Sequence, residues 1–393
     1  MEYRKHRDLS ISEVGVGCYA LSGSYGRKDI DEFRRMLVRA HELGINFFDT
    51  AEAYGSAEDV LGKAIEPFRS EVVVATKVGI RKGVEPNLSK SYITAACEES
   101  LRRLDTDYID LYQVHFDDPT TPVEETVEAL EGLKAAGKIR HYGLGHLPAE
   151  KVKQYLSVGE VFSVLVELSA VATDARNKML PLCRSNQVGV IAFSVTGRGL
   201  LTGRFKQHPE FEPQDIRNID PLFRRERFES GLRVASELTN IGKRYGKTPA
   251  QVAIAWVLAQ AGIICALCGP STVAHLEENV GGSGWQPTDE DLARLEDLLE
   301  REAAWVTEQQ KVGIKEILSG RLVDDPHQAF SDLIYAMETA ISLDLTTEAE
   351  VLPTFKELYA LRGKLDDSSR SKLEEVRDRL RSLIGFDDGD TNP

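Results

Sequence analysis

Short apolar runs alternate with amphipathic, helix-like segments over most of this 393-residue chain, from about residue 14 to residue 282. Runs of this kind are typical of parallel β-strands that helices bury on both faces. Eight such strands, each followed by a helix, close into a barrel. We therefore predict an α/β fold, a (β/α)8 TIM barrel, with strands at 14–19, 46–50, 72–78, 109–115, 140–145, 162–168, 189–194 and 263–269.

Helix start and stop signals separate the predicted strands. Asp29 precedes one amphipathic segment that Gly44 ends, and Pro122 precedes another that Gly137 ends. Capping residues at the start and glycines at the end mark helices in this way. A doubly wound open sheet is the alternative fold. It is disfavoured because no predicted strand is followed by the GxGxxG turn that such a dinucleotide-binding sheet normally carries.

The pattern changes after residue 285, where only helical segments follow. The chain is accordingly predicted to have a barrel domain over 1–302, an α-helical C-terminal extension over 303–386 and an acidic, disordered tail over 387–393. A polar segment with three prolines, residues 203–228, predicts a long insertion after the seventh barrel strand, at the face that carries active sites. The predicted helices after residue 285 lie at 289–302, 326–343, 352–362 and 368–383.

Composition restricts the class of partner. The formal net charge is −15, and nucleic-acid binding needs a basic surface, so we expect a small-molecule ligand and no nucleic acid. The uncharged run at 251–269 is nearly long enough to span a bilayer, but Gln260 and Gly262 interrupt it. We predict a buried helix and strand there and no membrane association. The charged N-terminal segment is not followed by an apolar signal sequence, so a cytoplasmic location is expected.

The five cysteines are scattered and odd in number, which is typical of reduced thiols. Cys265 and Cys268 form a CxxC pair. Because no second pair and no suitably spaced histidines accompany it, strand packing is the better interpretation and no metal site is expected.

Four polar residues close, or shortly follow, predicted strands: Asp49, Tyr54, Lys77 and His115. A tyrosine hydroxyl can donate a proton to a carbonyl oxygen, but its pKa of about 10 makes it slow near neutrality. A Lys77 ammonium held by Asp49 would favour the phenolate, and His115 would polarise or orient the carbonyl. This combination suits reversible carbonyl reduction, with hydride supplied by a cofactor because no side chain can donate one.

The contexts of these residues resemble the aldo-keto reductase family. The stretch from Gly44 to Gly55 is similar to the family's signature around its aspartate and tyrosine, and Ala75-Thr76-Lys77 and Gln113-Val114-His115 match its lysine and histidine motifs. The similarity runs from about residue 3 to residue 299. The resemblance implies a (β/α)8 barrel that binds NADP(H) or NAD(H) and reduces an aldehyde or ketone, or catalyses the reverse reaction. It assigns Tyr54 as general acid, supported by Asp49, Lys77 and His115.

The resemblance also implies cofactor-binding positions. Some match the family's pattern: Gly17, Cys18 and Tyr19 at the first strand, Asp49, Phe193 against the nicotinamide, Ser194, Gly199, Leu200 and Gly203 at the pyrophosphate, and Gly269, Glu278 and Asn279 at the adenosine. Others depart from it. A serine-asparagine pair is usual where this chain has Gly145 and His146, and a glutamine where it has Glu167. The positions that often carry cations for the adenosine 2′-phosphate hold Ser271, Thr272 and His275.

Two consequences follow from these departures. Hydroxyls and a neutral histidine are poorer phosphate partners than fixed cations, so we expect weak discrimination between NADPH and NADH, or a preference for NADH. A second function also stays open, in which the chain is a cofactor-binding regulatory or sensor subunit with little turnover. The expected partners are a small carbonyl or alcohol substrate and, through the C-terminal helices, another copy of the chain or another protein.

Overall fold

The computed structural model describes residues 1–26, 28–80, 86–212, 214–218, 220–318, 359–360, 362–364, 370 and 374. The chain divides into two compact units, Met1–Leu299 and Glu300–Pro393. The first of these contains every strand found among the described residues and is described first.

Within the described residues, eight parallel strands form a closed barrel in chain order, with the last strand paired to the first. Each lies within, or within one residue of, one of the predicted runs. The barrel prediction is therefore confirmed and the open-sheet alternative is wrong. The strands are β3 (Val14–Gly17), β4 (Phe47–Asp49), β5 (Val73–Val78), β6 (Ile109–Val114), β7 (Ile139–Gly145), β8 (Ser163–Glu167), β9 (Gly189–Phe193) and β10 (Ile263–Cys268).

Helices connect the strands and begin and end at the expected signals. The Asp29 side chain accepts a hydrogen bond from the Glu32 amide, and Gly44 and Gly137 adopt the left-handed conformation, with φ of +85° and +74°. The helices are α1 (Ile30–Glu42), α2 (Ala57–Ile65), α3 (Lys90–Leu104), α4 (Val123–Ala135), α5 (Ala149–Val158), α6 (Met179–Ser185), α7 (Arg225–Tyr245), α8 (Pro249–Leu258), α9 (Val273–Val280) and α10 (Asp289–Leu318).

Side chains fill the barrel interior, as in other barrels of this size. The interior cluster includes Phe47, Leu111, Ile191 and Cys265, each fully buried. Gly15 is required for this packing, because a Cβ there would lie 2.8 Å from both Cys265 Sγ and a ring carbon of Phe47. All five cysteines are free and buried, so Cys265 and Cys268 pack as the sequence indicated.

An antiparallel hairpin that was not predicted closes the amino-terminal end of the barrel. It consists of β1 (Tyr3–His6) and β2 (Leu9–Ser12). Arg4 donates to the Ile263 carbonyl at 2.7 Å and Arg7 to the Val161 carbonyl at 2.9 Å. The sequence gives little sign of β1 because its residues are mostly charged. Strand β1 is stabilised by contacts with distant strands, whereas Leu9 and Ile11 of β2 pack into the interior cluster of the barrel.

The predicted insertion after the seventh barrel strand contains two short 3-10 turns, Ile216–Asn218 and Pro221–Phe223. Its Ile216 amide donates to the Ser24 carbonyl at 2.9 Å, which ties it to the loop after β3. Four phenylalanines give the segment a small apolar cluster of its own: Phe205, Phe211, Phe223 and Phe228.

Helix α10 starts where predicted but does not end at Glu302. It continues to Leu318, because no proline lies between Glu302 and Leu318 and the single glycine there, Gly313, is tolerated within the helix. The second unit is described only at 300–318, 359–360, 362–364, 370 and 374. The expectations for 326–343, 352–358, most of 368–383 and the acidic tail at 387–393 therefore lie outside the described residues. Among the described helices, none is long and apolar enough to cross a membrane.

Candidate active site

The structure brings the four predicted catalytic residues together at the carboxyl ends of neighbouring strands. Asp49 ends β4, Lys77 lies in β5, His115 directly follows β6, and Tyr54 lies in the loop after β4. All four are buried, with exposed fractions of 3%, 1%, 4% and 8% for Asp49, Lys77, His115 and Tyr54. Charges in such a low-dielectric cluster act strongly on one another.

Lys77 is the centre of the cluster. Its ammonium group forms an ion pair with Oδ1 of Asp49 and donates to the backbone oxygen of Thr50 at 2.9 Å. The same nitrogen lies 3.3 Å from the hydroxyl oxygen of Tyr54. Three contacts use the three N–H donors of an ammonium group. Lys77 is therefore held in one orientation, with its charge beside the Tyr54 hydroxyl.

Burial and charge compete at the ion pair. Burial lowers the pKa of Lys77, but Asp49 and Tyr54 outweigh it, so this pKa is raised above its ordinary value. Burial raises the pKa of Asp49, and the Lys77 ammonium and a hydrogen bond from Gln113 oppose that rise. Lys77 is therefore charged at neutral pH and presents a cation to Tyr54.

The surroundings of Tyr54 keep its hydroxyl protonated. Burial raises the pKa of Tyr54, the Lys77 ammonium lowers it, and the net direction is upward. The effect expected of Lys77 is present, but burial outweighs it. A protonated phenol beside a fixed cation is suited to act as a general acid, because the cation stabilises the phenolate as the proton leaves.

His115 lies edge-on to Tyr54, with ring centroids 5.7 Å apart and planes at 78°. Burial, followed by the charge of Lys77 and the presence of His146, lowers the pKa of His115 to about 2. The imidazole is therefore neutral at physiological pH. A neutral imidazole N–H can donate a hydrogen bond to a carbonyl oxygen without replacing Tyr54 as the acid.

Gln113 belongs to the cluster although it was not among the predicted site residues. Its side-chain amide donates to Oδ2 of Asp49 at 3.0 Å, and the residue is fully buried. A signal was present in the sequence. Gln113 lies two residues before His115, and alternate residues of a strand point to the same face.

Aromatic rings form an arc beside the cluster. His146, at the exposed rim, stacks on Phe116 with centroids 4.7 Å apart, and Phe193 lies 5.0 Å from His146. Desolvation, with the charges of Lys77 and Arg198, lowers the pKa of His146 to about 4. The arc therefore presents flat, uncharged faces at neutral pH. Its members are Tyr25, Tyr19, Tyr54, His115, Phe116, His146 and Phe193.

The segment after β9, predicted to bind the pyrophosphate, contains several residues in the left-handed conformation. Ser194, Gly199 and Gly203 have φ of +57°, +91° and +74°. A Cβ on Gly199 would lie 2.7 Å from the Arg204 guanidinium. Turns that contain left-handed residues direct successive backbone N–H groups to one side, where they can bind an anion. The amides of Gly197, Gly199, Leu200, Leu201 and Thr202 already donate to carbonyl oxygens within the segment. An anion held here would therefore use the other amides of the segment.

Other predicted cofactor residues differ in how they can contribute. Gly17 ends β3 beside Asp49, and Tyr19 lies edge-on to Tyr54 with centroids 5.0 Å apart. Cys18 and Leu200 are fully buried, and Leu200 packs against the apolar cluster of the insertion. The side chains of these last two residues are therefore used in packing. Gly145 ends β7, and a Cβ there would lie 3.2 Å from the Val114 carbonyl oxygen.

Glu167 is already engaged by a cation that was not predicted. Arg198 donates to Oε1 of Glu167 at 2.5 Å and to Oδ2 of Asp220 at 2.6 Å. Arg198 thereby joins the end of β8 to the insertion. The glutamine that is usual at this position in the family would offer both a donor and an acceptor. Glu167 offers acceptors only, and these face Arg198.

The predicted adenosine positions lie at the start of α9 and in the loop before it. The Thr272 hydroxyl caps the helix by accepting from the His275 amide at 3.2 Å, and Ser271 Oγ lies 3.3 Å from His275 Nδ1. His275 and Gly269 are exposed, whereas Asn279 is buried. Glu278 uses its carbonyl oxygen to accept from Gln251. A capped helix start fits a phosphate through its backbone amides.

Comparison with known proteins identifies the family of the chain. The model of the Aldo/keto reductase family matches residues 13–300. The chain is 35% identical over 309 residues to Aldo-keto reductase str7 of Strobilurus tenacellus, covering 76% of this chain and 91% of that protein. It is 34% identical over 311 residues to Aldo-keto reductase YhdN of Bacillus subtilis (strain 168), covering 76% and 94%.

A solved structure gives the same result. The glycerol dehydrogenase AKR11B4 from Gluconobacter oxydans superposes with a TM-score of 0.71 at 29% identity, covering 77% of this chain and 96% of that one. The chain belongs to the aldo-keto reductase family. It is accordingly an NAD(P)(H)-dependent oxidoreductase of small carbonyl compounds. Among the residues that the structure describes, no group of three potential ligands is placed to hold a metal ion.

Proposed function

We propose that Tyr54 donates the proton in carbonyl reduction, with Asp49, Lys77 and His115 in supporting roles. The observation that carries this proposal is the position of the Lys77 ammonium between the Asp49 carboxylate and the Tyr54 hydroxyl. Lys77 stabilises the phenolate that forms as the proton leaves. Neutral His115 orients the carbonyl oxygen toward Tyr54. In the oxidative direction, the same phenolate accepts the alcohol proton.

The cofactor is proposed to lie along the carboxyl ends of β9 and β10 and to supply the hydride when it is bound. Phe193 would stack on the nicotinamide, and His146 and Glu167 would lie at its carboxamide side. The backbone amides between Ser194 and Gly203 that do not donate within the segment would hold the pyrophosphate. The remaining proposed contacts are Gly17, Cys18, Tyr19, Asp49, Gly145, Gly269, Ser271, Thr272, His275, Glu278 and Asn279.

Steady-state turnover tests the function against the sensor alternative. The purified protein is mixed with reduced nicotinamide and a panel of aldehydes and ketones, and oxidation of the nicotinamide is followed by its absorbance. An enzyme shows sustained, carbonyl-dependent oxidation. A protein that binds the cofactor but oxidises it no faster with any carbonyl than without would overturn the proposed function and favour the sensor.

We further propose that the protein discriminates weakly between NADPH and NADH, or favours NADH. Ser271 and His275 contact each other, and the Thr272 hydroxyl is used in capping α9. Titration by fluorescence quenching is expected to give dissociation constants within about tenfold of each other, because no fixed cation occupies these positions. His275→Arg adds such a cation and should tighten NADPH but not NADH. A wild-type preference for NADPH of several orders of magnitude contradicts the proposal.

The residues after the barrel are proposed to form a separate unit that mediates association. We propose a barrel domain over 1–302 and a helical extension over 303–386 that binds a second copy of the chain or another protein. A chain truncated after Leu318 is expected to show a lower mass in solution, by light scattering, than the full chain. Equal oligomeric states for the two chains would exclude self-association through the extension. Binding of another protein would then be tested by a pull-down with the full chain as bait.

A further inference from the structure

Gln113 binds the one oxygen of the Asp49 carboxylate that Lys77 does not. Oδ1 of Asp49 pairs with Lys77, and Oδ2 accepts from Nε2 of Gln113 at 3.0 Å. Gln113 is fully buried and is paired in register with Lys77 on the adjacent strand. The carboxylate is therefore held from two strands at once, with one partner for each oxygen.

The oxygen of the Gln113 amide has no hydrogen-bond partner in the part of the chain that the structure describes. Oε1 of Gln113 is buried without a hydrogen bond to any of the described residues. Leaving a buried acceptor unpaired costs stability, and an apolar side chain of similar size would avoid that cost. The amide orientation is also determined, because a carboxylate only accepts and so requires the NH2 group. The hydrogen bond from Nε2 of Gln113 to Asp49 offsets the cost of the unpaired oxygen.

The neighbouring strand leaves room for this arrangement. Gly143 is paired in register with Gln113 on one side and with Ser163 on the other. A Cβ on Gly143 would lie 3.3 Å from Cγ of Gln113 and 2.9 Å from Oγ of Ser163. A side chain at position 143 would therefore press on the stem of Gln113. The glycine allows the amide to keep its reach to Asp49.

We propose that Gln113 is a positioning residue, which holds the Asp49 carboxylate in the orientation that places its other oxygen on Lys77. The proposal rests on the proposed role of Lys77 beside Tyr54. Gln113 does not touch the reacting atoms. It acts through Asp49, and its loss changes the protonation of that carboxylate.

The groups around Asp49 determine whether loss of the Gln113 hydrogen bond raises or lowers the pKa of Asp49. Lys77 comes from β5, Tyr54 from the loop after β4, Cys18 from the segment after β3 and Cys265 from β10. Burial raises the pKa of both thiols, so they are neutral. A hydrogen bond to the ionised carboxylate favours that form. Removing it therefore raises the pKa of Asp49, and protonation occurs at higher pH.

Gln113→Leu tests this by removing the donor while keeping a side chain of similar length. The acid limb of the kcat/KM profile is expected to move up by about one pH unit, since a hydrogen bond to a charged group accounts for a shift of that size. Carbon-13 NMR of labelled aspartate should show the same upward shift for the Asp49 carboxylate. In Gly143→Ala the added methyl group presses on Gln113, so the acid limb and the carboxylate pKa should both move upward by a smaller amount.

Ser163→Ala is the matched control, because it removes a hydroxyl from the same inner layer without touching Asp49. It should leave the acid limb and the carboxylate titration unchanged. The proposal is overturned if Gln113→Leu lowers kcat/KM uniformly across pH and leaves the NMR titration within about 0.3 units of the wild type. The NMR measurement does not require turnover. If the protein binds cofactor without catalysis, the proposed function fails, but the NMR titration still tests the role of Gln113.

Discussion

Replacing Tyr54 with phenylalanine is expected to lower kcat for carbonyl reduction by about 10³-fold, within the range that a single general acid contributes. The substitution removes only the hydroxyl beside Lys77 and keeps the ring that packs against Tyr19 and His115. Cofactor affinity, measured by fluorescence quenching, should change by less than about threefold, because the hydroxyl acts in the chemical step rather than in uniform binding.

Tyr112→Phe provides the control for this substitution. Tyr112 lies in β6, is fully buried, and its hydroxyl has no hydrogen-bond partner among the described residues. The same chemical change at that position should leave kcat within about twofold, because no residue of the proposed site is hydrogen-bonded to the hydroxyl that is removed. If Tyr54→Phe keeps more than a tenth of wild-type kcat, Tyr54 is not the proton donor.

Replacing Lys77 with methionine is expected to affect both activity and stability. The Tyr54 phenolate loses its neighbouring cation, so kcat should fall by at least about 100-fold. Asp49 becomes a buried carboxylate without its counter-ion, which is expected to lower the free energy of unfolding by about 3–5 kcal/mol. Denaturant unfolding at neutral pH measures the second effect independently of the first.

The double variant Asp49→Asn/Lys77→Met separates the two effects. With both charges removed, no uncompensated carboxylate is left inside the barrel, and most of the lost stability should return. The activity should not return, because Tyr54 still lacks its cation. Recovery of activity in the double variant would show that Lys77 serves only to neutralise Asp49.

The fold was predictable because its stabilising pattern is local and repetitive. Each barrel strand is a short apolar run, and helix boundaries carry their own signals, such as Asp29 before α1 and Gly44 after it. Strand β1 and the turn after it were not predictable in this way, because Arg4 and Arg7 bind carbonyl oxygens of residues more than a hundred positions away, Ile263 and Val161. Contacts of that kind leave no periodic trace in the sequence.

The site was predictable where side chains have strong chemical preferences. Asp49, Tyr54, Lys77 and His115 are unusual residues at strand ends, and the structure gathers all four. The pairing of Glu167 with Arg198 was not foreseen, because Arg198 approaches from the loop after β9 and is also held by Asp220 of the insertion. Such a contact depends on how a loop folds back, and sequence spacing carries no information about it.

The hairpin that closes the barrel also determines when the chain can finish folding during synthesis. Arg4 binds a carbonyl 259 residues later, the Glu2 amide donates to Ser283, and the seam between β3 and β10 joins the first barrel strand to the last. The pairing of β3 with β10 and the contacts of the hairpin are therefore both incomplete until residue 283 has left the ribosome. Until then the apolar interior of the other strands stays open to water and to other nascent chains, so the exposure that favours aggregation lasts until late in translation.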